Sequence, residues 1–134
     1  MIAGDLHQGG TTTHGPIQGL STEPLYFDVR LPAGATVTLA TPTLHNAFLY
    51  VYEGDALVGD DPAARPLPFR AAGLLTTGDR VRLRAGLQGM RALLLAGKPI
   101  GEPVVQYGPF VMNTTYEIQQ AIIDYQRGQL AVLR

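Results

Sequence analysis

The sequence predicts an all-β fold, an antiparallel barrel or jelly roll closed by a single C-terminal α-helix. Three observations carry this. Several short stretches alternate apolar and polar residues with a period of two, as half-buried strands do. Sixteen glycines and ten prolines in 134 residues supply frequent turns, and about eight strand-like stretches lie between them. Only one stretch, close to the C-terminus, carries a helical period.

A chain of 134 residues with 46% hydrophobic content is expected to form one domain, 1–134, with a real core. The net charge of -1 gives no reason to expect nucleic acid or an anionic membrane as partner. The lack of cysteine excludes disulfides, thiolate catalysis and cysteine metal sites. No apolar run approaches the roughly 18 residues of a membrane span. The opening MIAGDLHQGG has neither a basic n-region nor an apolar h-region. The expectation is a soluble cytoplasmic protein.

In chain order, Ile2 to Leu6 reads as a short strand and 7–22, rich in Gly and Thr, as a long loop. His7 and His14 are metal-ligand types, but the spacing offers them no further ligand, so they read as solvated loop histidines. Leu25 to Leu31 alternates cleanly, with Leu25, Phe27, Val29 and Leu31 on one face and Tyr26, Asp28 and Arg30 on the other. Pro32-Ala33-Gly34 turns the chain, and Thr36 to Ala40 alternates again with Val37 and Leu39 inward. Asn46 to Glu53 is apolar on both faces: Ala47, Leu49 and Val51 on one, Phe48, Tyr50 and Tyr52 on the other. Such a strand is covered on both sides, one side being the core and the other meeting the helix, another sheet or another chain.

Gly54-Asp55 reads as a tight turn after which Ala56 to Val58 returns, and Asp60 to Pro68, with three prolines, as an exposed loop. Ala71 to Leu75, Arg80 to Arg84 and Met90 to Ala96 read as three further strands, the last two separated by Gly86-Leu87-Gln88-Gly89. Arg80, Arg82 and Arg84 share one face. Such a ladder can bind an anion, but the simpler reading is a solvated face paired with nearby acids.

The closing stretch holds the helix. Thr114 followed by Glu117 is a capping box. Ile118, Ala121, Ile122 and Tyr125 follow at i, i+3, i+4 and i+7 as one apolar stripe, and Gly128 ends it. A helix over 114–127 is predicted.

The literal string adds to this. Gly101-Glu102-Pro103, the run Tyr107-Gly108-Pro109-Phe110-Val111-Met112-Asn113-Thr114, and Asp124-Tyr125-Gln126-Arg127-Gly128 resemble the closing segment of the pirin family, in its C-terminal cupin domain. The resemblance extends more loosely upstream through 25–34, Asn46-Ala47-Phe48 and 51–54, and so covers nearly the whole chain. It implies a cupin-type antiparallel β-barrel or jelly roll. It also implies half of a usual pirin, which has two cupin domains. In that family the iron site, and the quercetin dioxygenase activity reported for some members, belong to the N-terminal domain.

Cupins commonly bind a divalent metal through imidazoles and a carboxylate projecting inward from barrel strands. With the last glycine of the first cupin motif on Gly54, the carboxylate position falls on Ala47. The two imidazole positions fall near Thr41 and Thr43, or Ala40 and Pro42. His45 stands out of register. In the second motif Arg84-Ala85-Gly86 replaces Pro-x-Gly, and the His and Asn positions fall on Gly89 and Leu93. No metal, no cofactor and no catalytic residue is expected.

Three functions follow as expectations. The first is a non-catalytic pirin-type cupin module with a structural, interaction or regulatory role. The second is part of a metal-dependent quercetin 2,3-dioxygenase-type pirin whose active site lies in a separate N-terminal cupin. The third is a small-molecule binding barrel lined by Phe48, Tyr50, Tyr52, Met90 and Met112, against which stands a core simply filled by its own side chains. The expected partner is a second copy of the chain or a separate N-terminal pirin cupin. It would contact the strand Asn46 to Glu53 and the apolar tail Leu130-Ala131-Val132-Leu133.

Overall fold

The computed structural model describes residues 1–131, and the backbone forms two compact units, Met1–Pro99 and Ile100–Arg134. Half of the chain is strand, and among the described residues the named strands pair antiparallel and there is a single helix.

In the first unit, β1 (Asp5–Gln8) and β2 (Thr11–His14) form a hairpin, pairing Asp5 with His14 and Gln8 with Thr11. A loop was expected over 7–22. Gly9 and Gly10, at φ +58° and +78°, instead make the two-residue turn that favours φ > 0 at both positions. A run of threonines beside it shows no alternation, so the sequence conceals the strand.

The rest of the unit is organised by two long strands, β5 (Asn46–Val58) and β8 (Arg80–Gly97). β3 (Leu25–Leu31) pairs with the C-terminal half of β8, Phe27 opposite Leu94. β4 (Thr36–Ala40) pairs with its N-terminal half, Leu39 opposite Val81. β5 pairs with both halves, Leu49 opposite Leu94 and then Val58 opposite Leu83, with register shifts on either side of Gly54. Two short edge strands complete the sheets. β6 (Arg65–Leu67) lies on Ala56 to Val58, and β7 (Ala72–Leu74) on Phe48 to Tyr50.

Two stretches read as turns are therefore bends inside continuous strands. At Gly54 (φ +68°) and Gly89 (φ +83°) the two strands approach so closely that a Cβ on Gly54 would overlap the Gly89 carbonyl. Glycine marks a bulge here and not a chain reversal. β6 lies in the proline-rich stretch expected to be loop, and Pro66 is tolerated because the strand is at an edge.

One core cluster joins the two layers. Phe27, Leu49, Val51, Ala92 and Leu94 come from one layer, and Leu39, Ala56, Val81, Leu83 and Ala85 from the other. Leu49, Val51, Leu83 and Leu94 are fully buried.

In the second unit, β9 (Val105–Tyr107) and β10 (Phe110–Met112) form a hairpin that packs with α1 (Thr115–Gln126). The capping box forms as the sequence predicts: Glu117 N–H donates to Thr114 Oγ1 at 3.2 Å, and Thr114 N–H donates to Glu117 Oε2 at 2.8 Å. Ile118 and Ala121 are the buried residues of α1 and Ile122 is half-buried. Tyr125, placed on the same stripe, is 69% exposed and meets Phe110 edge to face at 6.5 Å. Its position, two turns beyond Ile118, lies past the buried part of the helix. Val132 and Leu133 of the apolar tail lie outside the described residues.

Replacing Thr114 with Ala is expected to lower stability by about 1 kcal/mol in urea unfolding, with Thr114→Ser nearly neutral. Equal losses for both would mean that the hydroxyl is not acting as the cap.

Candidate functional site

β6 and β7 both line a cavity of about 720 Å³ in the first unit. Its apolar wall consists of Ala47 and Val58 on β5, Leu67 on β6, Leu75 just past β7, and Val81 on β8. Ala47, Val58, Leu67 and Leu75 pack on the core yet stay only half-buried, because the layers do not close over them. The polar part is Thr41 and His45, and the charged part Asp60, Arg65, Arg80 and Arg82. Alternation along β8 puts Val81 in the core and its two arginine neighbours on the other face.

The arginine ladder is paired with acids on the turn that follows β5, as expected. Arg80 and Arg82 share Asp60, at 3.8 and 3.7 Å, and Arg84 lies 3.5 Å from Asp61. These groups are well exposed, so the pairs contribute little to stability. The distances are also beyond good hydrogen-bond length.

His45 is held in place by the turn before β5, where its N–H donates to the Pro42 carbonyl at 3.0 Å. Its side chain is only 4% exposed. Nε2 is 3.5 Å from Glu23 Oε2, and the buried Nδ1 has no hydrogen-bond partner. Thr41 and His45 also line a second cavity, of about 510 Å³, bounded by Asp5, His7, Gln18 and Glu23.

A metal does not fit these residues. Of the first-motif positions, Thr41 and Ala47 line this cavity and Ala40 and Pro42 the second one, and an alanine brings no donor. Gly89 packs under the Leu31 carbonyl, and Leu93 pairs with Tyr50 on the opposite face. Neither could carry a ligand into the cavity. The three imidazoles have separate partners: His7 bonds Thr12 at 2.9 Å, His14 bonds Asp5 at 2.8 Å, and His45 faces Glu23. The hydrogen bond to His14, then that from Gln18, holds the Asp5 carboxyl below its usual range. Among the described residues no three His, Asp or Glu side chains are grouped to hold a metal ion.

Of the five residues expected to line one barrel cavity, Phe48, Tyr50, Tyr52 and Met90 are in the first unit and Met112 in the second, and none borders the two cavities above. Met90 is in the core, 3% exposed. Met112 is on β10, in the second unit. Phe48, Tyr50 and Tyr52 lie on the face of β5 turned away from Leu49 and Val51. Leu49 and Val51 took the core because they align with Leu94 and Ala92 across the sheet.

That outer face is a surface of its own. Register places Tyr26, Leu95, Phe48 and Leu74 in one row across four strands, with Leu93 and Tyr50 side by side in the next. Phe48 is 38% exposed and Leu74 90%. A polar group borders it. Tyr52 Oη donates to Asp28 Oδ1 at 2.6 Å, Arg91 stands over the Tyr52 ring at 5.9 Å, and Arg91 Nη1 reaches Glu53 at 3.4 Å. The hydrogen bond to Asp28 raises the Tyr52 phenol above its usual range.

Ala47 and Thr41, picked out by motif spacing, line a cavity that the sequence does not reveal. His45 was set aside as out of register, and the half-buried Leu67 and Leu75 carry no signal that a cavity lies beside them.

The model of the pirin C-terminal cupin domain matches residues 26–131. A Pseudomonas aeruginosa protein, named provisionally as a quercetin 2,3-dioxygenase, is 44% identical over 132 residues, 98% of this chain and 46% of its own length. Human pirin is 37% identical over 109 residues, 81% of this chain and 38% of its own. The crystal structure of a quercetin 2,3-dioxygenase from Acinetobacter baumannii superposes with a TM-score of 0.79 at 31% identity, covering 98% of this chain and 43% of that one. The chain therefore spans less than half the length of these relatives, and its match lies in their C-terminal cupin. The cupin layers, the closing helix and the family match over 26–131 agree: this chain belongs to the pirin family as a C-terminal cupin domain.

Proposed function

We propose that residues 1–134 act as a pirin-type cupin module that performs no metal chemistry of its own and works by association with a second cupin. One observation carries this reading. The positions that the cupin motif spacing gives to ligands hold Thr41, Ala47, Gly89 and Leu93, none of which offers an imidazole or a carboxylate. The outer face of β5 and β7 supports the associative half: Phe48 is 38% and Leu74 90% exposed, with the half-buried Tyr50 in the next row, and monomers rarely leave large apolar patches open. The partner is an N-terminal-type pirin cupin or, in its absence, a second copy of this chain, with a two-fold pair as the simplest closed arrangement. Among the described residues no helix is long and apolar enough to cross a membrane, and we take the module's setting to be the cytoplasm.

A second reading is favoured by the names of the relatives. A dioxygenase of the quercetin 2,3-dioxygenase type would place its metal in the separate N-terminal cupin, with this module supporting it.

Elemental analysis and sedimentation test the proposal together. The purified chain is expected to carry no stoichiometric iron, copper or zinc, and to sediment as a pair at micromolar concentration. About one metal ion per chain would overturn the first half. A single species at the mass of one 14.4 kDa chain, with no complex on adding an N-terminal pirin cupin, would overturn the second.

A further inference from the structure

We propose that the cavity beside β6 and β7 is a binding site for a small organic anion with a flat apolar body. Its volume of about 720 Å³ is within the range of small-molecule sites, which combine apolar walls with a few placed polar groups. The apolar body would lie on Ala47, Leu67, Leu75 and Val81, side chains that the core leaves half-covered or that border the open space. Substituting alanine for the cupin carboxylate removes a charge from the inner wall. An acid there would repel an anion, and an alanine presents a methyl group to its ring.

Charge selects the anion. The lining holds three arginines, Arg65, Arg80 and Arg82, against the single carboxylate of Asp60. Asp60 is shared by Arg80 and Arg82 at 3.8 and 3.7 Å, too far for either to be satisfied. Arg65 has no carboxylate within ion-pair distance among the described residues. Guanidinium N–H groups are therefore free to grip a carboxylate, as their fork geometry suits. At the inner side the cavity meets His45, whose buried Nδ1 lacks a partner.

The cavity lies on the Ala47 side of β5 and the apolar outer face on the Phe48 side, with Leu74 bordering both. Arg80→Gln/Arg82→Gln changes the cavity without touching Phe48 or Tyr50, so ligand binding and pairing with a second cupin can be read separately.

The test is titration of the full chain with 2-naphthoate, followed by amide chemical shifts and by calorimetry, with 2-naphthalenemethanol as the uncharged control. Saturable one-to-one binding is expected, with shifts at residues 41–47, 65–67 and 73–82. The alcohol should bind at least about tenfold more weakly, and Arg80→Gln/Arg82→Gln should weaken naphthoate by a similar factor, one lost charge-assisted contact being enough for that. Both arginines are exposed, so the variant should stay folded. Ala47→Phe, which fills the apolar wall, should abolish binding. No saturable shift at millimolar naphthoate would overturn the proposal. So would equal affinity for the alcohol, or unchanged affinity in the arginine variant.

Discussion

Gly54→Ala is expected to prevent the first unit from reaching its native structure, or to cost about 3 kcal/mol or more where it still folds. The position has φ +68°, where an L side chain is already strained. The added Cβ would also overlap the Gly89 carbonyl, which is backbone and cannot swing away. Relief would require separating β5 from β8 at the bulge, between Glu53 opposite Arg91 and Ala56 opposite Ala85. Gly34→Ala is the control, because that glycine has φ +69° with open space around it. It should lose about 1 kcal/mol. Urea unfolding of the two variants reads the difference directly. Similar losses would show that the bend tolerates a side chain.

The second large effect lies in the core. Leu94→Ala should destabilise the first unit by about 2–5 kcal/mol, a large part of the whole stability of a domain this size. Leu94 is fully buried and stands between Phe27 on β3 and Leu49 on β5. All three are close to fully buried, so the surroundings have little freedom to collapse into the space left. Leu74, a leucine of equal size that is 90% exposed, should lose less than about half a kcal/mol on the same change. A loss below about 1 kcal/mol for Leu94→Ala would mean that the layers are not packed as described.

Alternation and caps were legible in the sequence because they are local. Leu25 to Leu31 alternates against a solvated face and was found with its boundaries. Thr114, Glu117 and Gly128 defined α1 because each acts within one helical turn. The β5 strand shows the limit of this. Its period of two separated Leu49 and Val51 from Phe48 and Tyr50, but when both faces are apolar the period cannot say which faces the core. That choice is made by partners distant in sequence: Leu94, Ala92 and, across the core, Leu83. The aromatic face, read as a cavity lining, lies on the side of β5 away from Leu49 and Val51. Glycines at 54 and 86–89 read as chain reversals because their conformational signature is the same in a bulge. Of the two short edge strands beside the cavity, β7 was legible within Ala71 to Leu75, whereas β6 lies in a proline-rich stretch with no alternation. The cavity itself depends on how these edges meet β5 and β8, which no local pattern encodes.

The continuity of β5 and β8 through both layers also bears on how the chain reaches its fold. Neither layer can be completed without both strands, so there is no half that could form first and wait. The decisive event is closure of the segment between Val58 and Arg80, which brings β5, with β6 and β7 on its edge, into register with β8, on which β3 and β4 pair. Contacts of this kind are non-local, and their entropy cost falls before most of the stabilising burial is gained. The first unit should therefore fold slowly for its size, on the milliseconds-to-seconds scale of other β domains of high contact order. Until then the apolar residues of β5 stay open on both faces, so the slow step and the exposure of the stickiest strand coincide.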